Sequence, residues 1–207
     1  MKNYLTQNAK MKKSTGKKTF NWGIPAFKAE SGFKTCPMAN ECAKGCYATQ
    51  GAYIWSNVKP AFERRLALTK DSSFIATLDA EIKRRKIERV RIHDSGDFYS
   101  PKYLKAWLEI MRLNPSVEFY AYTKMIKVFK ALKSEFPSNF TYIFSYGGKQ
   151  DALINPETDR HSQVFGSTED LESEGYINAT NDDSLALTEN PKIGLVYHGA
   201  KSKKWGK

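Results

Sequence analysis

Cys36, Cys42 and Cys46 are the only thiols in 207 residues, and they fall within eleven positions of one another. The stretch that holds them, "TCPMANECAKGCYATQ", also contains Pro37, Gly45 and several small residues, so its backbone is free to fold around an object. Thiolates are soft ligands, and three on one loop point to a 4Fe–4S cluster or to zinc. Three cysteines on a four-iron cluster leave one iron open to an outside ligand. Zinc would need a fourth ligand, and His93, His161 and His198 are all remote in sequence. The spacing of five and then three intervening residues supplies no second zinc knuckle, so a 4Fe–4S cluster on Cys36, Cys42 and Cys46 is the expectation. The bland alternative is three small buried side chains without a metal.

A second group of reactive types is "HDSGDFYS", residues 93–100. His93, Asp94 and Ser95 bring an imidazole, a carboxylate and a hydroxyl together, and Gly96 permits close backbone approach. His93 and Asp94 are expected to face a ligand, whereas Asp97 is expected to fix the turn by accepting backbone amides. A competing chemistry has Asp94 and Asp97 holding magnesium against a phosphodiester, which leaves the cysteines unexplained. Tyr47, directly after Cys46, Tyr120 and Tyr122 with Thr123 and Lys124, and Ser145 with Tyr146, Gly147 and Gly148 complete the set of candidate ligand-binding residues.

These residues must be carried by elements that bring them to one place. "KTFNWGIPAF" reads as a strand ending at Pro25, and the cysteine loop follows it. Residues 47–70 read as a helix broken at Pro60. Phe74, Ile75, Leu78 and Ile82 mark the next helix, and "ERVRI" the strand that runs into "HDSGDF". Ser100–Pro101 starts a helix carrying Leu104, Trp107, Leu108 and Met111 at i, i+3, i+4, i+7. "VEFYAYT", a helix through Met125, Val128, Phe129 and Leu132, and "FTYIFSYGG" continue the alternation. "SQVFG" and "KIGLVYHG" are weaker strands on either side of an acidic, loop-like segment.

Strand–helix alternation at this spacing predicts right-handed parallel units in a single α/β domain. About six strands make a partial (β/α)6 barrel, and a doubly wound open sheet has the same local pattern. Candidate sites then sit at the carboxyl ends of the strands. Arg91 and His93 share one strand face, as do Glu118, Tyr120 and Tyr122. Such faces line a cavity or a solvated edge, and Arg91 is expected to pair with Glu118.

The net charge of +11 is uneven: residues 150–190 hold ten acids against one base, Arg160, which leaves +20 on the rest. The domain plan is a basic arm over 1–20, a barrel over 21–200 with an acidic insertion at about 150–190, and a basic tail over 201–207. Lysine-rich poles attract polyanions, so nucleic acid is one expected partner, with solvated tails as the alternative. No apolar run is long enough for a membrane span, and an odd cysteine count without a secretory signal fits a reducing cytoplasm.

Three cysteines on the loop after the first strand of a parallel barrel resemble the radical S-adenosylmethionine superfamily, whose usual spacing is three and then two residues. "TCPMANECAKGCYA", "RVRIHDSGDFYSPKYLKAWLEIMRLNP" and "VEFYAYTK", in that order over about residues 21–146, resemble a bacteriophage family catalogued as gene product eighty-eight-like. That family is similar to radical S-adenosylmethionine enzymes. The resemblance implies a radical-SAM-like barrel in which the open iron takes S-adenosylmethionine or another small ligand. His93 or Asp94 would meet the cofactor's amino group, and Tyr47 would lie beside the cluster or an adenine. It also implies a phage protein working in the host cytoplasm with a redox partner. Relatives often carry a second cysteine group near the carboxyl terminus, and "NATNDDSLALTENPKIGLVYHG" has none. The alternatives are a non-catalytic cluster protein in electron transfer, sensing or stabilisation, and a nucleic-acid-binding protein or nuclease with a structural cluster.

Overall fold

The structure, a computed structural model, describes residues 2–8, 11–12 and 16–197. In chain order it contains β1 (Thr19–Trp22), a one-turn α1 (Glu41–Lys44) inside the cysteine loop, α2 (Lys59–Leu68) and α3 (Phe74–Arg85). There follow β2 (Arg89–Ile92), α4 (Pro101–Leu113), β3 (Glu118–Thr123), α5 (Ile126–Ala131) and β4 (Phe140–Ser145). The last third holds β5 (His161–Phe165), α6 (Thr168–Ser173), β6 (Ile177–Asn178) and β7 (Lys192–Val196).

All neighbouring strands pair in parallel, in the order β1-β2-β3-β4-β5-β7-β6, and the sheet curls into a half-barrel. The expected six strands are corrected to seven. The additional one, β6, has two residues, too few to show any periodicity. A single α/β domain with parallel strands is what the alternation predicted.

Local chemistry explains the helices. Ser100 Oγ accepts the Tyr103 N–H at 3.2 Å and Pro101 opens α4, whose Leu104, Trp107, Leu108 and Met111 are completely buried. The expected helix from Tyr47 broken at Pro60 is corrected. Residues Tyr47–Thr49 and Gly51–Ile54 form two 3-10 turns, and Pro60 lies in the first turn of α2. A proline there gives up only an N–H that has no helical partner, so it starts the helix.

The two sheet faces carry different cores. Val90, Ile92, Phe119, Ala121, Phe140 and Phe144 belong to the larger one, with α3, α4 and α5. Within it Trp22, Phe74 and Trp107 pack with ring centroids 5.6 Å apart in each pair. The smaller core joins Ile143 and Ile193 to Ala179 and Ala186, with Tyr122 packed against it. Its alanines come from the acidic segment, which therefore fills the interior of the half-barrel.

Part of the basic arm is docked. Thr6 bridges Asn21 in antiparallel fashion, Leu5 is buried, and the Glu81 carboxylate accepts the Tyr4 and Leu5 amides at 2.8 and 3.2 Å. This covers the open edge of β1. The lysines of the 201–207 tail and His198 lie outside the described residues. Among the described residues no helix is long and apolar enough to cross a membrane.

Candidate functional site

The segments that follow β1, β2, β3, β4 and β7 surround a cavity of about 420 Å³, a volume suited to a small ligand. Cys36, Cys42, Cys46 and Tyr47 form one wall, His93 to Asp97 another, with Tyr122, Lys124 and Ser145 opposite. Tyr197 closes the far side: its hydroxyl donates to the Gly45 carbonyl at 2.6 Å and accepts from Gln50 Nε2 at 3.2 Å. A neighbouring hollow of about 330 Å³ shares Ala26, Ala48, Tyr53 and Ser95 with the first.

Asp94 is the most unusual group on the lining. It is buried, and Asn21 Nδ2 donates to its Oδ2 at 2.6 Å, while Oδ1 makes no hydrogen bond of normal geometry and the carboxylate feels only a weaker pull from the Tyr53 hydroxyl. Burial pushes the carboxyl up to about 6, against the pull of Arg91 and Arg65. Gly23 makes the arrangement sterically permissible, because a Cβ there would overlap Asp94 Oδ1 and stand 2.7 Å from Phe62 Cε1. The backbone on either side is pinned: Tyr47 donates its hydroxyl to the Asp94 carbonyl, and the Ile24 N–H reaches the Ser95 carbonyl at 3.0 Å.

His93 adopts φ 65°, a left-handed conformation seldom taken by a residue with a side chain. β2 has ended at Ile92, and this turn sends the ring toward the helix-side core. The expectation that His93 shares a face with Arg91 is corrected accordingly. Trp22 Nε1 donates to the Tyr103 hydroxyl at 2.9 Å, and that hydroxyl lies 3.0 Å from His93 Nε2. Burial lowers His93 to about 3, so the ring is neutral. Asp97 is spent on structure, as expected: Oδ1 accepts from Thr123 Oγ1 and the Phe98 N–H at 2.7 Å each, and Oδ2 accepts from the Lys124 N–H at 2.9 Å.

Arg91 does not pair with Glu118. Strand register sets Arg89 beside Glu118 and Arg91 beside Tyr120, so Glu118 takes Arg89 at 2.8 Å and Lys17 instead. Arg91 Nη1 donates to Asp183 Oδ2 at 2.6 Å, and the Tyr120 hydroxyl donates to the same oxygen at 2.9 Å. Burial works against the guanidinium charge, and Asp183 overrides it. Arg91 Nε and the Tyr122 hydroxyl are buried without hydrogen-bond partners, with Arg91 Cζ 5.4 Å from the Tyr122 ring centroid. The polar faces of β2 and β3 thus line an interior. Lys124 Nζ donates to Ser145 Oγ, Tyr146 O and Ser145 O at 2.7, 2.8 and 3.2 Å.

The cysteine loop is held from several sides. Thr35 Oγ1 donates to the Pro25 carbonyl at 2.6 Å, the Cys42 N–H to Gly147 at 3.1 Å, and the Lys149 N–H to Met38 at 2.8 Å. All three cysteines line the cavity, yet the 4Fe–4S expectation on Cys36, Cys42 and Cys46 is overturned. Among the described residues no three His, Cys, Asp or Glu side chains converge as a metal-holding group. Burial and nearby Asp97 push the Cys36 thiol far above its ordinary value, and burial raises Cys42 too, so both are neutral thiols in this arrangement. As for the magnesium alternative on Asp94 and Asp97, both Asp97 oxygens are already committed to Thr123 Oγ1 and to the Phe98 and Lys124 amides. With the cluster fall the readings built on it, in radical chemistry, electron transfer, sensing or a cluster-bearing nuclease.

Of the other sequence-derived candidates, Tyr47, His93, Asp94, Ser95, Tyr122 and Ser145 come together on the cavity wall. Tyr120 does not line it; its hydroxyl is committed to Asp183. Asp183, Tyr53, Thr180 and Tyr197 were missed by the sequence reading. Only Tyr53, six residues beyond Tyr47, lay near a motif; the others belong to the acidic segment or the last strand, where nothing in the sequence points to a site.

The sequence pattern of the Gene product 88 family matches residues 3–206. The Gene 88 protein of Mycobacterium phage L5 is 31% identical over 166 residues, covering 66% of this chain and 68% of that protein. The Gene 88 protein of Mycobacterium phage D29 is 31% identical over 123 residues, covering 54% of this chain and 51% of that protein. No solved structure matches, and nothing in these comparisons supports a likeness to radical S-adenosylmethionine enzymes. The motifs around the cysteine loop and "HDSGDF" therefore sit in a matched region that runs almost the whole chain, and the chain belongs to the Gene product 88 family.

Proposed function

We propose that the chain binds a small polar molecule in the cavity at the carboxyl ends of its strands, with Asp94 as the group that hydrogen-bonds to it and exchanges a proton with it. One observation carries this reading: Asp94 Oδ1, Arg91 Nε and the Tyr122 hydroxyl are buried without partners on residues that line one cavity of about 420 Å³. Each such atom costs roughly 1–3 kcal/mol when left unsatisfied. A cluster of them beside an open volume is better explained by an occupant than by folding. A carboxyl raised to about 6 is also poised to gain or lose a proton near neutral pH.

The test is thermal unfolding of the whole chain with a panel of amino acids, nucleosides and polyamines. At least one compound should raise the melting temperature, and Asp94→Asn should abolish that rise. If the stabilising compound acts equally on Asp94→Asn, the cavity is not where it binds and the reading fails.

A further inference from the structure

The geometry points to an oxyanion subsite inside this cavity, formed by Arg91 Nε and the Tyr122 hydroxyl, which receives a carboxylate or phosphate of the ligand. The inference rests on the ligand-cavity reading and adds the chemical class of one end of the molecule. Arg91 is held along one edge only. Asp183 Oδ2 takes Nη1 at 2.6 Å and is itself anchored by the Tyr120 hydroxyl at 2.9 Å, so the guanidinium cannot turn freely. The Nε–H on its other edge has no acceptor. Tyr122 stands two residues along β3 from Tyr120 on the same face, and its ring centroid is 5.4 Å from Arg91 Cζ. Its hydroxyl is also unpartnered, and burial raises it, so it stays protonated and donates.

Two unpartnered donors on adjacent side chains ask for an acceptor; Asp183 already offsets the guanidinium charge, so the positive charge that favours an anionic one comes from Lys124. Lys124 lines the same cavity and gives its ammonium hydrogens to three neutral oxygens of Ser145 and Tyr146. Among the described residues no carboxylate forms a salt bridge with that ammonium. Asp94, which lines the same cavity, makes no hydrogen bond to Arg91 and has a raised carboxyl that is partly neutral near pH 6. A fixed guanidinium edge, a hydroxyl donor and an ammonium that forms no salt bridge among the described residues together match the requirements of an oxyanion.

The experiment titrates the full chain with sodium acetate, inorganic phosphate and neutral acetamide, following amide shifts by NMR. Acetate or phosphate should bind saturably, and acetamide should not; whichever anion binds more tightly identifies the headgroup. Tyr122→Phe removes one unpartnered oxygen and leaves the fold intact, as circular dichroism verifies. It should weaken the anion roughly 10- to 100-fold, the range expected for one hydrogen bond to a charged group. Equal binding of acetamide, no binding of either anion, or an unchanged affinity in Tyr122→Phe overturns the subsite. The two readings fail separately. A panel compound sensitive to Asp94→Asn but indifferent to Tyr122→Phe removes the subsite alone. Anion binding that needs Tyr122, with no compound sensitive to Asp94, removes the broader reading.

Discussion

Replacing Asp94 by asparagine should stabilise the protein, and the gain should depend on pH. The folded carboxyl titrates at about 6 against an ordinary value of 3.8, so the folded state holds its proton more tightly than the unfolded state does. A raised folded value makes ionisation a destabilising event. Wild-type stability therefore falls as pH rises from about 3.8 through about 6, and the penalty is complete above that. A difference of about two units at ~1.4 kcal/mol each amounts to roughly 3 kcal/mol. Asparagine has nothing to ionise, and its carbonyl oxygen still accepts from Asn21 Nδ2. Asp94→Asn should then exceed wild type by about 3 kcal/mol at pH 7.5, or roughly 6–12 °C in Tm for a chain of this size. At pH 4 the two should nearly coincide. The assay is thermal unfolding of both proteins followed by circular dichroism at pH 7.5, 6, 5 and 4. Taking the difference between the proteins cancels every other titrating group. A variant less stable than wild type at pH 7.5, or a gain that does not shrink on acidification, would refute the claim that burial dominates this carboxyl.

Gly23→Ala places a methyl against Asp94 Oδ1 and the Phe62 ring, and an overpacking cost of about 1–3 kcal/mol should appear as a lowered denaturation midpoint. Asp183→Ala strands the buried Arg91 charge and should cost about 3–5 kcal/mol in urea unfolding, whereas Glu118→Ala, which removes a carboxylate that is itself 42% exposed, should cost under about 1 kcal/mol. Leu104→Ala opens a hole under α4 and should destabilise by about 2–5 kcal/mol. Cys36, a half-buried thiol held neutral by desolvation and nearby Asp97, should react slowly with iodoacetamide at pH 7 and readily once urea unfolds the chain, as peptide mass mapping would read.

The sequence made the outer half of the molecule legible and the inner half obscure. Helix α4 could be read to its first residue because Ser100 and Pro101 act locally, and its apolar stripe needs no knowledge of the partner. Strands β1 to β4 announced themselves through aromatic and β-branched runs bounded by turn residues. The interior did not. Asp183 lies 92 residues from Arg91, in a segment whose acids and polar residues read as a solvated loop, and only the curl of the sheet brings the two together. The mistaken Glu118 partner shows the limit of face arithmetic: alternation tells which side a residue takes, whereas register decides its neighbour. His93 escaped for a related reason, since a single left-handed residue reverses a side chain without leaving a compositional trace. The cysteines were a third case. Spacing brings three thiols near one another along the chain and says nothing about whether their sulfurs converge.

The position of β7 between β5 and β6 has a consequence for how the molecule is assembled during synthesis. β6 pairs only with β7 among the strands, although it is made first, so Ile177 and Asn178 have no ladder to join until Lys192–Val196 has emerged. The chain between them, which carries Asp183 to Arg91, is likewise tethered at its far end by that late strand, and Tyr197 reaches Gly45 only after it. A ribosome-bound chain can thus fold β1 to β4 with their helices while the inner wall of the cavity is still missing. The cavity becomes complete in one late step, when β7 slides between two neighbours and makes contacts of long sequence separation. Such non-local closure is slow compared with helix formation. Closure of the cavity should therefore lag behind the appearance of secondary structure during refolding.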